Sequence, residues 1–307
     1  MKFSRVIRRY GGKGKFFNLY MPYITKIAMD AGCDTFVDCF GGGGTMSLLA
    51  SQMTVPGNSN LRMFSKVIYN DLDPGMAAIH RVVKSEKNAV YLSRMALATP
   101  HCKEAFDEAY DIYVRANDGQ IEVDDMELAY YTFVVNAMSF NCDSKNYNRW
   151  GEDHPEIYKK RAAGIVNIVP YMDRIEVRQE QYYSLIHELG NNPRAMFFLD
   201  PPYLAAERAI NSDDVYKNEL MNIEHIFMNR ILAECCNNWI LCGYRGKAVG
   251  WESRIYGDLE KQTDVSVIDL GVVHKSSSGK SVAEGGSAHE FIWMKYIQRG
   301  GYNKTII

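Results

Sequence analysis

The chain is poor in the features of secreted, membrane and metal-dependent proteins. Its seven cysteines (Cys33, Cys39, Cys102, Cys142, Cys235, Cys236 and Cys242) are odd in number and scattered, with no CxxC pair and no Cys/His zinc spacing. That excludes a disulfide framework, and a reducing compartment and no metal are expected. No apolar run approaches the roughly 20 residues that span a bilayer, and no apolar segment follows the basic start. No membrane association is expected, and the default location is cytoplasmic. Excess charge is also lacking: a formal net charge of −2 over 307 residues does not advertise a nucleic-acid partner. Low complexity and heptads are absent. With 47% hydrophobic, 23% charged and 12% aromatic residues, the chain is neither collagen-like, disordered nor a coiled coil, and is long enough for one large domain or two modest ones.

What is present alternates between strand and helix. β-branched and aromatic runs bounded by turn residues predict strands at 35–40, 66–70, 174–178, 195–199, 239–242, 265–269 and 290–296. Helical patterns follow the first two, at 45–52 and 74–84, the order of a parallel α/β sheet. A Gly/Asn/Ser-rich insertion at 55–60 lengthens the first crossover. From about 81 to 170 helical periodicity dominates (103–115, 124–137, 154–169) around a polar segment at 139–153. The expected organisation is an α/β domain from 1–79 and 173–307, split by a helical insertion at 80–172.

The strongest chemical signal is Asp200-Pro201-Pro202-Tyr203, directly after the apolar run Ala195–Leu199. In a parallel sheet, ligands gather at the carboxyl ends of strands. The tetrapeptide suits methyl transfer to an exocyclic amine. An adenine N6 lone pair is delocalised into the ring and is a poor nucleophile. The Asp200 carboxylate and Pro201 carbonyl can accept its two hydrogens as positive charge develops. Consecutive prolines fix φ and aim that carbonyl, and the Tyr203 ring offers a face for a flipped base. A plain turn after a buried strand is the alternative, but a given four-residue word arises by chance in only roughly 0.2% of chains this long.

The second signal is Asp38-Cys39-Phe40-Gly41-Gly42-Gly43-Gly44-Thr45, where a cofactor could approach backbone that has no side chains in the way. It is not a dinucleotide fingerprint, because Met46 stands where GxGxxG needs its last glycine. The one GKS, at Gly279, has His274 in place of the first P-loop glycine. Together with Asp71 after the next strand, which could hold ribose hydroxyls, the glycine run points to a nucleoside cofactor.

These motifs, in this order, resemble the Dam-like (D12 class) DNA adenine-N6 methyltransferase family. Arg9-Tyr10-Gly11-Gly12-Lys13 resembles its opening aromatic-GGK element, and Phe40-x-Gly42-x-Gly44 with Asp38 its cofactor loop. Asn70-Asp71-Leu72-Asp73 resembles its ribose segment, and residues 290–296 its last core strand. The resemblance implies a doubly wound, Rossmann-like AdoMet-dependent methyltransferase sheet with an inserted helical target-recognition subdomain. Tyr10, Lys13, Asp38, Phe40, Gly42, Gly44, Asp71 and Asp200 would surround S-adenosyl-L-methionine. Gln181 and Tyr182 sit where the family has an acid and an aromatic near the cofactor adenine; glutamine is a departure, and a surface turn is the alternative there.

The stretch 136–142 resembles the family's LNRxxFNG segment, with Cys142 in place of its glycine and Lys145 in place of a guanine-reading arginine. Lysine donates to guanine without the bidentate fork, so a GATC target is only weakly implied. Asn141 and Lys145 are expected to contact DNA, with a solvated loop as the alternative. Arg149 could contact phosphate beside Trp150, for which burial under a loop is the ordinary account. The stretch 1–15 holds six cations and no anion, so Arg9 fits either a phosphate-contacting arm or a solvated terminus. Lys275 and Lys280 flank a Ser-rich loop that reads as a hairpin tip, a loop through Asp213 and Asp214 could order over the bound base, and His225 and His289 read as structural. The expected partner is double-stranded DNA. A companion restriction endonuclease, a monomer or weak dimer, and a bacterial or phage-infected host are all compatible with the resemblance. The competing readings are an RNA or protein N-methyltransferase on the same fold, and a catalytically silent DNA-binding homologue.

Overall fold

In chain order the structure, a computed structural model, contains α1 (Phe17–Ala31), β1 (Thr35–Asp38), α2 (Thr45–Ala50), β2 (Thr54–Val55), β3 (Asn58–Arg62) and β4 (Lys66–Asn70). The helices α3 (Pro74–Val82), α4 (Glu86–Ala98), α5 (Lys103–Asn117), α6 (Asp125–Met138) and α7 (His154–Ala163) follow. Then come β5 (Ile175–Arg178), α8 (Tyr182–Leu189), β6 (Ala195–Leu199), α9 (Asn222–Glu234), β7 (Asn238–Tyr244), α10 (Gly257–Glu260), β8 (Val265–His274) and β9 (Ser287–Lys295). The described residues are 7, 13, 17–148, 154–204, 220–245, 250–274 and 287–297. The expectations at Arg9, Tyr10, Arg149, Trp150, the loop with Asp213 and Asp214, and the Lys275–Lys280 loop lie outside them, as does the side chain of Asn141.

The chain divides into two compact units. One comprises Phe16–Phe40, Thr54–Lys66 and Glu180–Ile307. Its strands run in the order β1-β6-β7-β9-β8, the first three parallel and the last two antiparallel to their neighbours. β1 and β6 are buried along their whole length; β6 accordingly reads as an unbroken apolar run, whereas β1 carries Thr35 and Asp38 at its two ends. Phe36 stacks on Phe198 at 5.9 Å and tilts on Phe64 at 5.3 Å, so the core sits directly behind the carboxyl ends of this strand pair. α1 carries its apolar stripe on Tyr20, Ile24, Ile27, Ala28 and Ala31, and Tyr296, just beyond β9, donates to its Asp30 at 2.6 Å. The glycine-rich insertion forms the hairpin β2–β3, turning at Gly57 with φ 82.

The other unit comprises Met1–Lys15, Gly41–Met53 and Val67–Gln179. β4 and β5 pair in parallel, with Asn70 opposite Arg178. Local chemistry fixes its helix starts. Asp73 caps α3 by accepting from the Gly75 and Met76 N–H groups, with Pro74 in the first turn. Asp124 and Glu127 form a capping box on α6. Arg81 on α3 holds Asp125 on α6 with two 2.7 Å bonds, and Tyr158 on α7 donates to Ala96 on α4. The expected helix 154–169 is shorter than read: α7 ends at Ala163 and a 3-10 stretch, Gly164–Tyr171, carries Pro170.

Candidate functional site

Within the second unit the glycine loop is hydrogen-bonded to the end of β4 and to the turn into α3. Gly41 donates to the Asn70 carbonyl at 2.7 Å, and Gly42 donates to the Asp71 carboxylate at 2.7 Å. Asp71 also accepts from the Asp73 N–H at 2.9 Å, so this acid shapes both the glycine loop and the turn into α3. Tyr69 donates its hydroxyl to the Gly42 carbonyl at 2.8 Å and stacks on His80 at 4.0 Å. Gly42 and Gly44 have φ 51 and 73, and a Cβ on Gly44 would fall 2.1 Å from His80 Nε2. Lys13 is buried in this unit.

His80 is fully buried. Its Nδ1 lies 2.8 Å from the Met76 carbonyl, which fixes Nδ1–H as donor, and among the described residues Nε2 has no hydrogen-bond partner. Burial lowers its pKa to about 4, against the Met76 bond, which acts the other way. Between about 4 and the ordinary 6.5 the unfolded chain takes a proton that the folded chain refuses, so stability falls as pH drops through this window. The unfolding free energy of the parent should lose on the order of 3 kcal/mol more than that of His80→Asn between these pH values. Parallel pH profiles for the two proteins would refute this.

In the first unit β1 and β6 run side by side with Asp38 opposite Phe198, and Cys39 donates to the Phe198 carbonyl at 2.9 Å. Asp200 therefore lies two residues past the position facing Asp38, at the same carboxyl edge. Asp38 is buried; Phe40 and Asp200 are half-buried. The Phe40 ring lies 5.3 Å from that of Tyr182, which opens α8 facing inward, whereas Gln181 is exposed at the helix N-cap and makes no capping bond. Pro201 is buried and Pro202 half-buried. Tyr203 is buried, its hydroxyl donates to Glu290 at 2.6 Å, and its ring meets Tyr244 edge-on at 4.4 Å. Tyr20 donates to the same Glu290 oxygen at 2.7 Å. Burial first, then the charge of Asp200, pushes the Tyr203 phenol far above its usual pKa, so it remains a donor.

Lys145 is exposed on a loop of the second unit, closed by a bridge between Ser139 and Tyr147. Asp143 accepts from the Lys145 and Asn146 N–H groups at 2.9 and 3.1 Å. Cys142 has φ 58, a left-handed backbone that favours glycine, which accounts physically for the glycine expected at this place. The buried Arg161 donates to Asn136 Oδ1 at the end of α6 at 2.6 Å and to Cys142 Sγ in the loop at 3.5 Å. His225 is buried 3.0 Å from the Tyr256 hydroxyl, and His289 faces Asp269 at 3.4 Å. Among the described residues no group of His, Cys, Asp and Glu could hold a metal, and no helix is long and apolar enough to cross a membrane.

Sequence reasoning missed Tyr69, His80, Arg161, Tyr20 and Glu290. The one available signal was Glu290 itself, an acid at a buried position in an apolar strand.

A mixed α/β chain with a mostly parallel sheet, a glycine loop after β1 and Asp-Pro-Pro-Tyr after β6 has the layout of a methyltransferase. The family model for D12 class N6 adenine-specific DNA methyltransferases matches residues 10–253, and the chain belongs to that family. Its activity is accordingly site-specific methylation of adenine in DNA, with S-adenosyl-L-methionine as the methyl donor the family implies. No curated protein matches the sequence.

Proposed function

We propose that Asp200 and Pro201 accept the two N6 hydrogens of an adenine flipped out of duplex DNA, and that Tyr203 packs against its ring. A carboxylate and a carbonyl aimed at the amine offset the positive charge that develops as its lone pair is drawn out of the ring. The product nitrogen is acidic enough to release its proton to water. When bound, the cofactor supplies an electrophilic methyl group on a sulfonium. The donor set suits it: Asp38 and Asp71 for cationic and hydroxyl groups, the Phe40–Tyr182 aromatic pair for a purine, and a loop of side-chain-free glycines. Tyr10, Lys13, Gly42, Gly44, Gln181 and Asp200 complete the proposed contacts. The observation that carries the reading is the pairing of β1 with β6, which sets Asp38, Phe40 and Asp200 at one carboxyl edge.

For DNA we assign residues 80–172 as the target-recognition insertion, with Lys145 and Asn141 near base edges and Arg9 and Arg149 on phosphates. The exposure of Lys145 on a braced loop supports this. The test is incubation of the protein with unmethylated DNA and labelled cofactor, then modification-aware sequencing. N6-methyladenine in one recurring motif is expected. Lys145→Ala should relax that motif at a single guanine, with a loss of about 1 kcal/mol or more in discrimination. A uniform loss at every site would reassign Lys145 to phosphate, and label in RNA or protein alone would overturn the substrate.

A further inference from the structure

We propose that Glu290 is a positioning residue that sets the ring of Tyr203 against the target adenine, sharing its carboxylate with Tyr20 as a second anchor. The inference rests on the reading of Asp200–Tyr203 as the catalytic turn, but Glu290 lies beyond the stretch, 10–253, that the family model matches.

Three elements of one unit converge here. Tyr20 comes from α1, Tyr203 from the turn after β6 and Glu290 from β9. One carboxylate oxygen accepts both phenols, at 2.7 and 2.6 Å, and all three side chains are buried, Glu290 at 1% exposure. Hydrogen bonds of this length to a charged acceptor are stronger than neutral ones. A tyrosine ring has two torsions, and Tyr203 is held at both ends: its hydroxyl by Glu290 and its ring by the perpendicular ring of Tyr244. Glu290 and Tyr244 are themselves opposite one another on the antiparallel pair β7–β9, so the two restraints share one rigid frame. A core that only had to be filled would hold an apolar residue here at lower desolvation cost. The carboxylate instead fixes the plane of the ring at the end of the catalytic tetrapeptide. Tyr20 donates to the same oxygen, a second bond that ties the carboxylate to α1.

The experiment measures single-turnover methylation of an oligonucleotide carrying the enzyme's own motif, equilibrium cofactor binding and thermal unfolding, for the parent, Glu290→Leu, Glu290→Gln, Tyr203→Phe and the double variant Glu290→Leu/Tyr203→Phe. Glu290→Leu should slow methyl transfer 10- to 100-fold, the range expected when a reacting group is displaced by about 1 Å. Cofactor affinity should stay within about twofold. Glu290→Gln keeps an acceptor oxygen and should recover transfer to within about threefold of the parent. Tyr203→Phe should slow transfer several-fold and add nothing further in the Glu290→Leu background, where the Tyr203–Glu290 bond is already lost. Undiminished transfer by Glu290→Leu, additive losses in the double variant, or a rate loss matched by lost cofactor binding would overturn the proposal. If Glu290→Leu does not fold, Tyr203→Phe decides, and a rate within twofold of the parent rejects the anchor. Failure of the parent to methylate any DNA would remove the catalytic reading and this inference together, whereas a proficient parent with an indifferent Glu290 removes only the latter.

Discussion

Asp200→Ala should lower the methylation rate by about a hundred- to a thousandfold, the loss seen when one preorganised charge-stabilising group is removed from a reacting centre. Duplex DNA binding should persist, because no phosphate contact is assigned to this residue. Asp200→Asn should do no better than alanine: its amide nitrogen would present donors to an amine that is itself a donor. Asp200→Glu moves the carboxylate one methylene along, and a displacement of that order is expected to leave a deficit of about 10²-fold. Collapse of the fold would mimic the result. However, Asp200 is half-buried at the end of β6, outside the buried run Ala195–Leu199, and unfolding temperatures of the three variants should cluster near the parent. Single-turnover rates beside DNA-binding isotherms check the whole series. Parental rates for Asp200→Ala would remove the carboxylate from the reaction, and a parent that binds DNA without transfer would restore the silent-homologue reading.

The parts of the molecule legible in the sequence are those whose signals are contiguous. Strands at 66–70 and 195–199 coincide with β4 and β6, because the apolar stretches Val67–Tyr69 and Ala195–Leu199 are buried on both faces of parallel strands. α3 and α6 announce themselves through Asp73-Pro74 and the Asp124/Glu127 capping box. Helices whose buried faces are chemically mixed stay hidden. α9 buries His225 and Asn229 beside Met228 and Leu232, and α1 carries Pro22 and no first-turn acid. α4 blurs its stripe with exposed Tyr91 and Leu97. The strand expected at 265–269 runs on as β8 to His274, past a bulge at Gly271, which has φ 88 and donates its N–H to Asp269. The site divides the same way. The glycine loop and the Asp-Pro-Pro-Tyr turn are words in the sequence. The anchors behind them are not, since Tyr20 and Tyr203 meet Glu290 across 270 and 87 residues, and His80 reaches Gly44 only because α3 turns it back under the loop.

That last contact carries the other large effect. Gly44→Ala should destabilise the protein by about 2–5 kcal/mol, the sum of about 1–2 for a left-handed backbone and about 1–3 for overpacking. The backbone share is separable. Gly57 has φ 82 with nothing within 4 Å of its would-be Cβ, so Gly57→Ala should show the conformational strain alone. At Gly44 the new methyl would lie 2.1 Å from His80 Nε2, and that ring cannot give way cheaply: it is fully buried, stacked on Tyr69 and bonded through Nδ1 to Met76. The loop must yield instead. Gly44 donates to the Gly41 carbonyl at 2.8 Å, and Gly41 and Gly42 donate to Asn70 and Asp71, so a shift at Gly44 reaches the proposed cofactor contacts. Cofactor affinity should therefore fall at least tenfold in Gly44→Ala and remain parental in Gly57→Ala. Gly44→Ala combined with His80→Ala makes room for the methyl, and its destabilisation should be smaller than the sum of the single changes by about 1–3 kcal/mol. Chemical denaturation and equilibrium binding on the parent, Gly44→Ala, Gly57→Ala, His80→Ala and the double variant measure both quantities. Strict additivity would mean that His80 does not shape the loop, leaving only the backbone conformation as the reason for glycine at 44.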